Sequence, residues 1–351
     1  MAGLVAAAEA RRLGADPLVL EKLDYPGGSM LLSSAVVWRH RDFDLFRREC
    51  PAGDERLQRA LFERLDADLR WLEALGAPVR RRETGNPLTT GLRFDPAGLT
   101  EALVTAAGGL ADGRAGVVCG RALVAPPAGA PLVLATGGFA ASRALLWEHV
   151  TGEAGHVLLR TAPGSTGDGL RLGLAAGAAT GLGLDEVYAR AMPAPPARVA
   201  PADFVRLSQL YARHAEVTNE RGERFEAATW SEVDVAQWAA RQPRARAWLR
   251  VPIERLEERV RERTVGEMVE AAAAAGAPVR REPEHVTVET VAGITTTLGG
   301  LRVDEHAAAA PGVFACGADA GGVATGGYAS GLAAALVFGR IAARAALGET
   351  P

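Results

Sequence analysis

At 351 residues, 48% hydrophobic and 23% charged, the chain has the make-up of a globular protein and the length for two domains. Its 39 basic and 42 acidic residues leave a net charge of −3, which excludes a sequence-wide attraction to nucleic acid or to an anionic membrane and places binding in pockets. Cys50, Cys119 and Cys316 are odd in number and far apart, with no CxxC and no histidine cluster, which speaks against a disulfide scaffold or a metal site. The chain begins with an apolar helical stretch: Leu4, Val5, Ala8 and Leu13 mark one face, Arg11 and Arg12 suit the negative end of the dipole, and Gly14 supplies a left-handed stop. A short strand at 17–20 follows, closed by Glu21, eighteen positions after Gly3. That is the spacing at which a dinucleotide-binding βαβ unit puts its ribose-binding acid, with a helix N-terminus turned to the pyrophosphate. Ala2-Gly3-Leu4 fits the end of a GxGxxG fingerprint whose first strand and first glycines lie outside the sequence. The expectation is that Met1 is an internal methionine preceded by an apolar strand ending in GxG.

Residues 25–29, YPGGS, read either as a tight turn or as a phosphate contact. In the next stretch Ser33 and Ser34 stand in a predicted strand, as ordinary structure or as pocket floor. Residues 54–75 form an amphipathic helix with Leu57, Leu61, Leu65, Leu69 and Leu72 on one face. A loop and strand at 86–94, a helix at 96–107 and a strand pair within 114–131 follow. Leu132, Val133 and Leu134 are a buried-type strand that ends in Ala135-Thr136-Gly137-Gly138, small residues that let a backbone approach a ligand at the carboxyl edge of a sheet. In GSTGDG, residues 164–169, Asp168 either caps the next helix or holds a ligand hydroxyl.

From Asp185 the texture turns Pro-rich and then charged, with Trp230, Trp238 and Trp248 and a long Glu/Arg helix at 253–263. This reads as an inserted domain over 186–292, leaving 1–185 and 293–351 as the other domain. Near the end, a strand at 313–315 leads to Gly317-Ala318-Asp319, a glycine loop and a helix from about Ser330. Its first amides, at Gly331, Leu332 and Ala333, suit a pyrophosphate or an electron-rich carbonyl. The late apolar run at 331–347 is broken by Arg340 and Arg344, and the N-terminus is apolar before it is basic, unlike a secretory leader. The expected location is cytoplasmic, without a membrane span. No period of 20 to 50 residues recurs, which excludes a solenoid.

In order along the chain, AGL through Glu21 and PGGS, VLATGGF, TGDGL, and PGVFACGADAGG with the final GL helix resemble the fumarate reductase and succinate dehydrogenase flavoprotein superfamily. NERGERF at 219–225 adds the pattern NxxGxRF, and GxGMAGL is common in such flavoproteins at the position of Met1. The resemblance implies an α/β fold: a Rossmann-like FAD-binding domain built from both chain ends, with an inserted α+β clamp domain. It assigns adenosine ribose contacts to Glu21 with Lys22 beside it, and pyrophosphate and flavin contacts to Gly3, Gly27, Gly28 and Ser29. Ala135, Thr136, Gly137 and Asp168 line the cofactor, Asp319 takes ribitol hydroxyls, and Gly331 and Leu332 sit at the carbonyl edge of the ring. No histidine stands near PGGS, so the FAD is expected to be non-covalent.

The departures from the family pattern restrict the reaction. Ala227 and Ala228 replace the Asn and Glu of RFxNE, and Glu232 stands where fumarate reductases carry an acid-donating arginine. Thr295 and Thr296 occupy the place of a substrate-binding histidine, and the last glycine loop, ATGGYASG, lacks an arginine. The resemblance then implies a dehydrogenase or reductase at a CH–CH bond, by hydride transfer at flavin N5, on a ketosteroid-like molecule or a small organic acid, and not fumarate reduction. Such a reaction needs a base and an electrophile. Tyr328 is the first candidate, beside the alternative that it only packs under the flavin. Arg190, Arg224 and Tyr188 are candidates on the clamp. The expected partners are a small-molecule substrate and an electron acceptor that the sequence does not identify. The competing reading is a non-catalytic truncated homologue or a binding module without FAD. A plain NAD-dependent dehydrogenase is weakened by the late GAD and GL-helix segments.

Overall fold

The computed structural model describes residues 1–112, 115–127, 129–226 and 232–349. The elements that bear on function are, in chain order, helix α1 (Ala2–Arg12), strands β1 (Leu18–Leu20), β2 (Gly116–Val118) and β3 (Leu132–Leu134), and helix α2 (Asp168–Ala175). Strands β4 (Val187–Pro193), β5 (Glu216–Thr218), β6 (Arg246–Pro252), β7 (His285–Thr297) and β8 (Val313–Ala315) and helix α3 (Gly331–Ala346) complete the set. Helices and sheets are mixed, in an α/β arrangement.

The chain divides into two compact units. The first comprises Met1–Ala141, Ala162–Leu184 and Thr297–Pro351, and the second Ser142–Thr161 and Asp185–Thr296. Expectation from the sequence placed 142–161 with the chain ends, whereas contacts group it with the insertion, because β7 pairs in parallel with Leu158–Leu159.

In the first unit, α1 and α3 lie against each other closely enough that a Cβ on Gly339 would sit 2.9 Å from the Ala2 carbonyl oxygen and 3.0 Å from the Val5 side chain. Parallel pairing joins β1 to β2 and, separately, β3 to β8. Glu21 N donates to Val118 O (2.9 Å) and Gly116 N to Pro17 O (3.0 Å), so alternation turns the backbone groups of Leu18 and Leu20 to the opposite edge. Leu132 N donates to Gly312 O (2.9 Å) and Cys316 N to Leu134 O (3.0 Å), which turns Val133 away from β8 in the same manner. Helix α1 packs on both β1 and β3. The helix at Glu55–Ala74 buries Leu57, Leu61, Leu65, Leu69 and Leu72, and Asp54 caps it through Arg56 N and Leu57 N.

In the second unit, β6 pairs antiparallel with β7 on one side and β5 on the other. Three local expectations are corrected. Residues 253–263 are not a helix: Pro252 ends β6, a 3-10 turn follows at Ile253–Arg255, and Arg259–Val260 pairs with Arg263–Thr264 around Arg261 at φ +59°. The true helix starts later, at Val265–Ala274, behind a capping box of Thr264 and Glu267. Ser33 and Ser34 precede a strand at Val36–His40 instead of lying in it, because Gly28–Leu32 winds into a 3-10 helix. Of the pair expected within 114–131 only β2 forms among the described residues; Arg114 lies outside them, as does Trp230 on the insertion.

Candidate functional site

The candidate site in the first unit starts at α1, whose first turn carries no acidic side chain. Its first intrahelical bond runs from Val5 N to Met1 O (3.0 Å), so the amides of Ala2, Gly3 and Leu4 precede the hydrogen-bonded ladder. A Cβ on Gly3 would lie 3.3 Å from that of Ala135, so the start of the helix meets the end of β3. At the end of β1, Glu21 Oε1 accepts from Leu23 N (2.9 Å). Lys22 Nζ donates to Thr166 Oγ1 and to Asp168 Oδ2, each at 2.6 Å. Asp168 does not cap α2. The N-cap is Gly167 at φ +86°, and the Asp168 carboxylate bridges Lys22 and Arg171 instead.

Asp319 is the anchor of the site, at 2% exposure. Its carboxylate accepts from Thr136 N, from Thr136 Oγ1 (3.0 Å) and from Gly138 N (3.0 Å). Thr136 Oγ1 in turn accepts from Gly169 N (2.9 Å), and any Cβ on Gly169 would come within 2.5 Å of the carboxylate. Burial pushes the Asp319 carboxyl above its usual range, against the pull of the Thr136 and Gly138 amides. One buried acid therefore ties together three segments that are far apart in sequence: the Ala135-Thr136-Gly137-Gly138 loop, the start of α2 and the end of β8.

In the turn at 25–29, Gly27 and Gly28 take left-handed φ values of +114° and +54°, and the Ser29 hydroxyl accepts from Ala162 N (2.9 Å). At the last helix, Ser330 caps Ala333 N (3.2 Å). The amides of Gly331 and Leu332 have no acceptor among the described residues, and the space where a Gly331 Cβ would stand is open. Tyr328 sits just ahead, its ring 5.7 Å from that of Trp38. The loop that carries it is seated tightly, since a Cβ on Gly327 would collide with the Glu49 carbonyl.

The second unit holds the other candidates. Arg190 Nε donates to the Tyr188 hydroxyl (2.8 Å), and its guanidinium lies 4.9 Å from the ring centroid. Burial disfavours the Tyr188 phenolate, yet the charges of Arg190, Arg160 and Arg261 outweigh it and hold this phenol below its usual range. Glu232 accepts from Ala212 N (3.2 Å), and burial pushes its carboxyl up against the opposing charge of Arg190. Arg224 is an exposed surface residue paired with Glu216 (2.8 Å). Ala227 and Ala228 lie outside the described residues. Sequence reasoning missed Arg160, which is 6% exposed and donates to Thr295 Oγ1 (2.8 Å) and to Phe204 O. Its one signal was a lone arginine between an apolar pair and the glycine-rich 164–169 loop.

Among the described residues no group of three or more His, Cys, Asp or Glu side chains is placed to hold a metal, and no helix is long and apolar enough to cross a membrane. The family model described as FAD binding domain matches residues 1–130 and 127–331. No curated protein matches the chain by sequence. Among solved structures, a flavocytochrome c3 fumarate reductase in its open conformation aligns with TM-score 0.69 at 19% identity, over 99% of this chain and 76% of that one. The 3-ketosteroid-delta4-(5alpha)-dehydrogenase from Rhodococcus jostii RHA1, in complex with 4-androstene-3,17-dione, aligns with TM-score 0.68 at 19% identity, over 98% and 94%. The 3-ketosteroid delta1-dehydrogenase from Sterolibacterium denitrificans aligns with TM-score 0.70 at 14% identity, over 98% and 97%. At these identities the likeness is one of fold.

Proposed function

The chain belongs to the FAD binding domain family of flavoprotein oxidoreductases, and from that premise we propose that it is a dehydrogenase or reductase acting at a CH–CH bond next to a carbonyl. FAD, when bound, supplies the hydride-accepting or hydride-donating centre. The residues present fit that group. The first turn of α1 bears no acid, the Gly331 and Leu332 amides have no acceptor among the described residues, Gly331 borders open space, and Gly28 leaves room with no atom within 4 Å of a Cβ. Gly3, Gly27, Gly28 and Ser29 would hold the pyrophosphate side, Glu21 and Lys22 the ribose, and Ala135, Thr136, Gly137 and Asp168 the wall. Asp319 keeps that wall in shape through the Thr136 and Gly138 amides. With no histidine in 25–29, binding is non-covalent.

The observation that carries the reaction class is Tyr328, a hydroxyl three residues ahead of a helix start whose first amides lack acceptors among the described residues. In this reading Tyr328 moves the proton, and the Gly331 and Leu332 amides stabilise negative charge on a carbonyl oxygen. In the second unit, Arg190 donates to the Tyr188 hydroxyl and steadies it. The substrate class is a small ketone or ketosteroid, since the positions of the dicarboxylate-gripping residues of fumarate reductases are filled by Thr295, Thr296 and the glycine loop.

The test is Tyr328→Phe. The variant should keep its flavin absorbance while substrate-dependent bleaching slows about a hundredfold or more. An unchanged bleaching rate would remove Tyr328 from the chemistry.

A further inference from the structure

The outer face of the second unit's sheet carries a cluster that the oxidoreductase reading leaves unused. Along β6 the side chains of Ala247, Leu249 and Val251 are fully buried, so alternation turns Arg250 outward. Glu216 on β5 lies directly across from Arg250, and His285 on β7 lies across from Pro252, two positions on along the same face. The 3-10 turn at Ala212–His214, just ahead of β5, adds Arg213 and His214, and the turn at Ile253–Arg255, just after β6, adds Arg255. These six side chains line one cavity of about 360 Å3. None of them belongs to the set assigned to the cofactor.

The chemistry of the lining is one-sided. A guanidinium can only donate hydrogen bonds, and three of them line the cavity with one carboxylate, Glu216, while Glu258 pairs with Arg255 (2.9 Å) and Glu282 lies 4.0 Å from Arg250 just outside the lining. That carboxylate, Glu216, is already shared between Arg224 (2.8 Å) and Arg250 (3.8 Å). Arg213 Nε donates to His214 Nε2 (3.2 Å), which leaves Nδ1 of that ring as the N–H donor. His285 Nδ1 faces Arg250 Nη2 (3.4 Å), which leaves Nε2 as the donor there. Burial and the Arg213 charge hold His214 below its usual range, so at neutral pH it keeps this uncharged form. The lining itself sets three guanidiniums and two imidazoles against one carboxylate, and such a set selects a ligand that offers only acceptors and more than one negative charge. The cavity's volume is that of a small-molecule site and leaves room for an organic group beyond the anion.

We propose that this cavity binds a phosphate-bearing small molecule, with Arg250, Arg255 and the two imidazole N–H groups as the donors to its phosphoryl oxygens. The experiment is an NMR titration of the histidine ring resonances in the full chain loaded with FAD, using pyrophosphate and inorganic phosphate as probes and acetate at matched ionic strength. The His214 and His285 signals should shift saturably with either phosphate probe, and acetate should bind about tenfold more weakly or worse. Arg250→Gln, on the solvent side of the sheet, should weaken phosphate binding at least about tenfold, and Arg255→Gln should do the same should the first variant prove unstable. Arg59→Gln, a surface arginine paired with Glu55 in the first unit, should leave it unchanged. Shifts that stay linear to roughly 20 mM pyrophosphate, equal binding in both cavity variants, or equal binding of acetate would each overturn the proposal. The flavin spectrum recorded before the titration reports on the cofactor alone, so a failure there is separate from a failure here.

Discussion

At the scale of single residues, the glycines of the site differ in what they are for. Gly169 cannot carry a Cβ, because Asp319 fills the space, whereas Gly331 could carry one with nothing in the protein within 4 Å. Gly331→Ala should therefore leave folding untouched, since alanine is the better helix former by up to about 1 kcal/mol. It should nevertheless weaken FAD binding severalfold if the helix start is the cofactor contact, measured by flavin absorbance against added FAD. His40 gives a second residue-scale prediction. Packed between Trp38 and Phe46, it is 5% exposed, and burial drops its pKa from 6.5 to about 4. Between those values the unfolded chain binds the proton first, so this contribution to stability is complete above about pH 6.5 and is lost as the pH falls towards 4. Between pH 7 and pH 5 it amounts to about 2 kcal/mol. Chemical denaturation of His40→Gln should show that much less loss than the parent over the same interval.

At the scale of elements, the first unit holds two separate parallel pairs, β1 with β2 and β3 with β8. Leu18, Leu20 and Val133 turn backbone N–H and C=O groups to edges with no partner among the described residues, and α1 covers both strands that own them. The amides of Leu18, Leu20 and Val133 should exchange faster with solvent than that of Val19, which pairs with β2, in native-state hydrogen exchange. The stretch at 253–263 shows a limit of local pattern. Its Glu and Arg residues favour a helix by propensity, and Ile253, Leu256 and Val260 recur at helical spacing, but the chain turns at Pro252 and pairs Arg259–Val260 with Arg263–Thr264, which buries Val260 and leaves Ile253 exposed.

At the scale of the whole chain, the two termini are held together by one buried acid. Glu9 on α1 is fully buried and accepts from Arg12 (2.9 Å), from Arg340 (3.1 Å) and from Arg344 (2.8 Å) on α3, while Arg340 also reaches Asp68. Burial opposes ionisation of Glu9, but the Arg12 hydrogen bond and the Arg340 and Arg344 charges win and hold its pKa below the usual range. A depressed carboxyl contributes stability above its ordinary pKa and loses it as the pH falls through the folded value. Glu9→Ala should cost about 3–5 kcal/mol at pH 7, because it strands partly buried arginines, and less in acid. Equal denaturation midpoints for parent and variant at pH 7 would mean that apolar packing of α1 on α3 holds the ends together alone.

The pattern of residues along the chain determined most of the helices and strands and the order of the cofactor segments. Apolar periodicity, glycines at turns, caps such as Asp54, and small residues after Leu134 act within a few positions of one another, so they can be read locally. Tertiary structure alone decided what Asp319, Glu9 and Arg160 do. In the sequence Asp319 is one acid in a glycine run, and only folding sets it beneath Thr136 and Gly138, more than 180 positions away. Glu9 looks like a polar residue on an apolar helix until α3 brings two arginines to it. The cavity around Arg250 exists because β-sheet register places side chains from three separate segments on one face. Such partnerships depend on through-space distance and burial, which set the energy of charged and hydrogen-bonded groups and leave no periodic trace along the chain.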